Sequence, residues 1–342
     1  MKFVCYTEWD QLPESANALF AQREKDSLFF SRSWFENLTI FALEHDHTMM
    51  LACVVVGDKV VAILPLMKCK GSAWYSLKHR YTSLYSLFLS NNDQLEFQQQ
   101  VLDCLSLGLR QLPMKGLLLE PVADDDSQLN NFKRSMEKVG FVCNSIFRHY
   151  NWIYRLQGQS FEDYLLARPA KLRNTISRKK RKLEREHGYE IHLFTGDEVP
   201  QKISDYNKVY NASWKGNEQY VDFLNGIVAS FSNQDWSRLA VLYVKGQPIA
   251  AQLWFVLHNK ANIFRLSYDE AWKQYSPGSI LTSYLMEYVI DIDKVKEIDF
   301  LTGNDAYKQD WMSERRERFV LSCIKSIKRK GRFKLFIKSL WN

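Results

Sequence analysis

Between Lys260 and Leu301 the chain buries apolar surface in two ways in quick succession, and this restricts the fold more than any other stretch. Lys260 to Ser267 (KANIFRLS) alternates as a strand does, and Ile280, Leu281, Tyr284, Leu285 and Tyr288 then recur at helical spacing. Lys296 to Leu301 (KEIDFL) reads as a second, short strand. Strand, loop, helix, strand is a crossover unit that sets its two strands in neighbouring positions of one sheet. The loop ahead of the helix is Gln274-Tyr275-Ser276-Pro277-Gly278-Ser279. Pro277 suits a first helical turn because it has no N–H to leave unpaired, and Gly278 lets a ligand approach the backbone. Free N–H groups and the positive end of the helix make Tyr275 to Ser279 the expected seat of a pyrophosphate.

Around this unit there is chain enough for a second domain. The 342 residues are 46% hydrophobic and 14% aromatic, which fills two cores of ordinary size. Set beside each other, VVVGDKVVAILPLM and LYVKGQPIAAQLWF share a hydrophobic strand, a glycine turn and a second strand, so a tandem architecture is expected. Its first copy holds a helix near Ser33 to Ala42, a hairpin, a helix from about Leu95, the strand GLLLEPV, a helix from Ser127 and the strand GFVCNSIF. A basic helix from Arg168 to His187, stopped at Gly188, opens the second copy. The expected domains are 1–150 and 151–342, the latter with a basic tail.

Charge is concentrated rather than spread. Net charge is +7, Arg168 to Arg185 carries nine Lys/Arg against one Glu, and Lys325 to Lys338 carries no acid. Each patch is either a solvated face or a contact for an anionic partner. In the tail, Ile327, Phe333, Leu335, Phe336, Ile337 and Leu340 accompany the cations, so an amphipathic element that associates with anionic membranes is expected. Glu8, Asp10 and Glu14 come before any long apolar run and no segment reaches ~20 apolar residues, which argues against a signal peptide and a membrane span. Cys5, Cys53, Cys69, Cys104, Cys143 and Cys323 lie far apart without a CxxC pair. Neither a zinc cluster nor a compact disulfide framework is indicated, and a cytoplasmic location suits them. His45-Asp46-His47 would share a strand face but lacks a third ligand, so no metal is expected, and Cys323 has no His neighbour to make it a nucleophile.

The order Tyr268, Tyr275, Pro277-Gly278, Ile298-Asp299-Phe300, Gly303, Tyr307-Lys308 and Trp311 resembles the CelD-type acetyltransferase family of the GNAT superfamily, a relative of the FemAB-type peptidoglycan-bridge transferases. The resemblance covers about Leu172 to Trp311. It implies tandem GNAT-like domains of α+β or α/β class, each a mixed, twisted sheet flanked by helices. It also implies acetyl-CoA or another acyl-CoA as co-substrate, an amine-bearing acceptor, and a place in cell-envelope or exopolysaccharide assembly. The superfamily's usual pyrophosphate loop, Arg/Gln-x-x-Gly-x-Gly/Ala, is replaced here by a loop with the single glycine Gly278.

In that chemistry an amine attacks a thioester carbonyl directly, and the protein orients, takes a proton and stabilises an oxyanion. Asp299 is the candidate base or ammonium anchor, with a loop-tying carboxylate as the alternative. Lys308 would set a cation near the carbonyl oxygen or a phosphate, or stand exposed on its helix. Tyr268 and Tyr307 would protonate the leaving thiolate, or belong to core and rim. Two other functions stay open. One is FemAB-like transfer from charged tRNA, with Arg173 to Arg185 as the contact, although nothing between Gly188 and Tyr220 reads as the long helical arm common in such enzymes. The other is a non-catalytic binding protein on the same fold.

Overall fold

The computed structural model describes residues 1–91 and 94–326. The N-terminal half runs β1 (Lys2–Tyr6), α1 (Asn17–Arg23), α2 (Arg32–Phe41), β2 (Thr48–Val56), β3 (Lys59–Lys68), β4 (Ala73–Ser76), β5 (Phe88–Leu89), α3 (Leu95–Gln111), β6 (Gly116–Ala123), α4 (Ser127–Lys138) and β7 (Phe141–Arg155). The C-terminal half follows with α5 (Phe161–Leu166), α6 (Ala170–His187), β8 (Glu190–Thr195), α7 (Glu198–Asn211), α8 (Val221–Ser232), β9 (Ser237–Val244) and β10 (Gln247–Leu257). It ends with β11 (Lys260–Tyr268), α9 (Pro277–Asp291), β12 (Glu297–Thr302), α10 (Lys308–Trp311) and β13 (Glu314–Lys325).

Local chemistry accounts for many of the boundaries. Lys245 and Gly246 both have positive φ, 50° and 75°, the turn whose twist matches the strands it joins, β9 and β10. Asp126 caps α4 by accepting from the Gln128 and Leu129 amides, and Ser160 with Asp163 forms a capping box on α5. Gly188 ends the basic α6 at φ 68°. Helix α7 starts at Glu198, and α10 is a single turn.

All strands join one mixed sheet in the order β1-β2-β3-β4-β6-β13-β7-β12-β11-β10-β9-β8, with β5 on β3. The two halves exchange strands at its centre. The last strand, β13, pairs with both β6 and β7 and so completes the N-terminal half. The far end of β7, Asn151 to Arg155, pairs with β12 and completes the C-terminal half. Residue 150, the expected boundary, lies inside β7.

Helices cover the sheet in three cores. The helices α3 and α4 pack on the N-terminal half through Leu105, Leu109, Phe132 and Met136, and α6 and α9 pack on the C-terminal half through Leu172, Ile176, Leu281 and Leu285. The third core is shared: Phe20, Trp34 and Phe35 of the first half interlock with Val209, Phe223 and Ile227 of the second. Asn37 Nδ2 donates to the Phe223 carbonyl at 2.9 Å across this boundary. A Cβ on Gly226 would come within 2.1 Å of Asn37 Oδ1, so α2 and α8 meet this closely only with glycine there.

Two expectations are corrected here. Cys143 and Cys323 stand directly opposite on β7 and β13 and are joined as a disulfide across 180 residues, while Cys5, Cys53, Cys69 and Cys104 are free. Their distance in sequence hid the pair because strand exchange makes them neighbours. The His45–His47 stretch is a turn before β2 rather than a strand; Glu44, Asp46 and His47 lie together there, but Lys70 already pairs with Asp46 at 2.7 Å. Among the described residues no helix is long and apolar enough to cross a membrane. The expected membrane tail begins at Lys325, at the end of β13, and residues 327–342 lie outside the described residues.

Candidate active site

The site is built where β11 and β12 part. They are parallel neighbours, as the crossover predicts, but pair only at Lys260–Glu297, Ala261–Ile298 and Asn262–Asp299. An extra residue in β11, Phe264, shifts its register against β10 and bends the strand at this place. Beyond Asn262 one edge of β11 therefore runs on without a strand partner among the described residues, and α9 begins beside it.

The loop into α9 is shaped as expected but offers fewer donors. Ser276 is left-handed (φ 51°) and Pro277 opens the helix. The Ser279 N–H is taken by the Ser276 carbonyl at 3.0 Å, which leaves the Gly278 N–H as the first-turn donor without an acceptor among the described residues. Gln252 Nε2 and Thr282 Oγ1 both donate to the Gly278 carbonyl at 2.9 Å and fix the turn. A Cβ on Gly278 would lie 3.2 Å from the Tyr268 ring, so a glycine lets that ring close on the helix start.

Helix α6 supplies what the loop lacks. Lys179 Nζ donates to the Gln274 carbonyl, and Lys182 Nζ stands 4.9 Å from the Tyr275 ring centre. The buried Tyr275 donates its hydroxyl proton to Glu186 at 2.9 Å and lies 2.8 Å from His187 Nε2. The basic run thus flanks the positive end of α9. Sequence reasoning found the run and the loop separately, and only the packing of α6 along the loop joins them.

At the end of β12 the expected Asp299 and Lys308 come together, each already engaged. Asp299 Oδ1 accepts from the Leu301 N–H (2.6 Å) and from Asn151 Nδ2 (2.5 Å), and its Oδ2 accepts from Arg316 at 3.0 Å. That carboxylate holds Leu301 at φ 54°, a costly conformation for leucine that persists only where surrounding contacts fix it. Lys308 is 4% exposed rather than standing free on a helix, and its Nζ donates to the Phe300 (3.1 Å) and Thr302 (2.6 Å) carbonyls. Burial pulls its pKa below the ordinary lysine value, with Asp305 and Asp299 partly opposing the shift. Ser83, from the N-terminal half, completes the bulge: its hydroxyl lies 2.7 Å from Thr302 Oγ1 and accepts from the Thr302 N–H.

The mouth joins both halves. Trp214 is exposed and packs on Tyr268 with ring centres 5.0 Å apart. The exposed Lys215 beside it donates from Nζ to the Leu266 carbonyl of β11. Crowding of protein around that ammonium, reinforced by Arg265, pulls its pKa down to about 8. Arg265 pairs with the buried Glu218, which also accepts from Tyr81 Oη of the N-terminal half at 2.6 Å. Tyr307 is on the rim, 42% exposed, with its ring against Phe300. Lys215, Arg265 and Glu218 carried no motif, because each acquires its setting from a distant element.

Residues 170–309 match the family model described as an acetyltransferase (GNAT) domain. No curated protein matches the chain in sequence. Among solved structures, FemX is similar with a TM-score of 0.63 at 9% identity, covering 94% of this chain and 97% of that one. L-PGS from Bacillus licheniformis gives 0.53 at 12% identity over 86% and 92% of the two chains. A tandem GNAT protein from the clavulanic acid biosynthesis pathway gives 0.50 at 13% identity over 94% and 97%. The chain thus has the GNAT acyltransferase fold, in the tandem arrangement, and identities this low speak for the fold alone.

Proposed function

We propose that the protein is an N-acyltransferase that moves an acyl group from a coenzyme A thioester to an amine in the cleft between β11 and β12. The observation that carries this reading is the parting of these strands after three residue pairs, beside a helix start flanked by Lys179 and Lys182. The donor's phosphates meet the Gly278 N–H and the α6 cations, and its thioester lies along the free edge of β11. The neutral acceptor amine attacks the carbonyl carbon, the C–N bond forms and the C–S bond breaks; the nitrogen releases one proton to solvent, and the thiolate leaves with one from a donor that solvent reprotonates. Lys308 is the cation on the carbonyl side, with two N–H groups used by backbone carbonyls and the exposed Asp305 3.7 Å from its Nζ, a pairing that the developing oxyanion would replace. Tyr307 on the rim is the proton source for the thiolate and Tyr268 packs the donor loop. Asp299 fixes the bulge that aims Lys308 and is a positioning residue. An acceptor from cell-envelope or exopolysaccharide assembly follows from the family resemblance.

Calorimetry with acetyl-CoA tests the donor site. Lys182→Glu should weaken binding by about fivefold, the effect of ~1 kcal/mol at a helix start. Absence of binding to the wild type, or equal affinity in both proteins, would overturn the placement.

One observation favours a second reading. Lys171 and Arg178, seven residues apart and so on one face of α6, have no carboxylate partner among the described residues, and neither does Lys180 on the opposite side. Such unpaired cations suit the backbone of a charged tRNA as donor. Binding of aminoacyl-tRNA that falls steeply with salt and displaces acetyl-CoA would favour this donor.

A further inference from the structure

A polar cavity of about 40 Å³ lies below the point where β11 and β12 part, on the side facing the N-terminal half. Arg318, Arg316 and Asn151 of the exchanged strands line it, together with Asp299, Asn262 and Lys260. Its hydrogen-bond accounting is one-sided. Arg316 bonds both Glu297 and Asp299, and Asp26 is held by Arg23. Arg318 is 5% exposed and has no carboxylate within ion-pair distance among the described residues. Its two terminal nitrogens donate to the Glu317 carbonyl and to Asn151 Oδ1, and its Nε–H, also buried, meets no acceptor. Among the described residues Lys260 Nζ makes one bond, to the Asp26 carbonyl at 2.7 Å, and no ion pair. The side-chain carboxylates are already engaged by cations, while two cations retain N–H groups.

We propose that this cavity binds one small monovalent anion, a halide or a carboxylate, held by the Arg318 Nε–H and the Lys260 ammonium. A buried guanidinium without a counter-charge is costly, and an anion here supplies both charge and acceptor. The pKa of Arg318 falls to about 10 because burial and the neighbouring Arg316 outweigh its more distant carboxylates, as expected where a counter-ion is missing. The volume holds roughly three waters, which suits a halide or a formate-sized group and excludes a nucleotide or a sugar. Because the anion would bind where the exchanged strands meet, it would lock the two halves together. This inference does not rest on the identity of the acyl donor.

Thermal unfolding at constant ionic strength is the test, with chloride, formate and acetate compared with gluconate, which is too bulky to enter. Tm should rise by roughly 2 °C in the small anions and not in gluconate. Arg318→Met should abolish the difference. If that variant does not fold, Lys260→Met, at the start of a strand, should raise the chloride midpoint several-fold. A response to formate and acetate without one to chloride would identify a carboxylate as the occupant. Crystals soaked in bromide should show an anomalous peak beside Arg318 Nε. Equal Tm in chloride, formate, acetate and gluconate overturns the proposal, whether the cavity then holds water alone or shows bromide only at crystal concentration.

Discussion

The two halves carry the same cleft in different states. In the N-terminal half β4 and β6 are parallel neighbours paired only at Ala73–Gly116, Trp74–Leu117 and Tyr75–Leu118, and in the C-terminal half β11 and β12 are likewise paired for three residues before they part. Between β4 and β6 the chain then fills its own gap. The Ser76 hydroxyl donates to the Glu120 carbonyl at 2.8 Å and accepts from the Glu120 N–H, while the buried Tyr85 donates its amide to the Pro121 carbonyl. Between β11 and β12 a side chain does less: Lys215 reaches the Leu266 carbonyl and leaves the rest of the edge open. The helix starts differ in the same sense. Helix α3 has Glu96 in its first turn, whereas α9 has no acid there and cations beside it. One topology thus yields a sealed cleft where the loop is long and folds inward, and an open one where it is short and runs directly into a helix.

The most severe trial of this comparison is chemical. Lys308→Met should lower kcat by ~10²–10³ with donor affinity nearly unchanged, and acetyl-CoA should bind at one site per chain. Full activity in the variant would remove Lys308 from the chemistry, and a stoichiometry of two would show that the N-terminal cleft is not sealed.

Asp299→Ala should cost about 1–3 kcal/mol of stability, because it strands the Leu301 N–H and the Asn151 amide while Arg316 keeps Glu297; Asp299→Asn should cost less and keep substantial activity. Denaturant unfolding alongside steady-state rates separates the two roles. A fully stable but inactive Asp299→Asn would return Asp299 to the position of base.

Ser76→Ala should destabilise by about 1–2 kcal/mol, since both Glu120 backbone groups lose their partner, and should create no second donor site. Calorimetry on this variant sharpens the contrast: a new acetyl-CoA site would mean that one hydroxyl keeps the N-terminal cleft shut.

A last expected effect is on pH dependence. His79 stacks on Phe223 across the boundary between halves, and burial, with Arg265 and Arg80, lowers its pKa from 6.5 to about 3. Between these values the unfolded chain binds more protons, so stability falls as pH drops from about 6.5 towards 3. His79→Phe should flatten that part of the acid-unfolding curve, and an unchanged curve would assign the acid sensitivity elsewhere.

Much of this was written locally in the chain. The hairpins around Gly57 and Gly246, the helices from Leu95 and Ser127, and the crossover from Lys260 to Leu301 follow from periodicities of two and 3.6 with turn residues between them. The loop at Ser276 to Ser279 and the helix start after it were legible for the same reason, since Pro at a helix start acts on its own turn. The surroundings of the candidate residues were not. No local signal says that Asn151 and Arg316, 165 residues apart, bracket Asp299, or that Lys308 turns inward to the carbonyls of Phe300 and Thr302.

The sequence by itself determined which segments form strands and helices, and that a Pro-Gly turn would open one helix, because those properties depend on neighbours within a few residues. Only the tertiary structure decided that β7 and β13 cross between the halves, that Cys143 meets Cys323, and that one cleft is filled and the other open. A strand carries the same backbone donors and acceptors whatever its partner, so its place in a sheet is selected by the side chains that the whole assembly can bury.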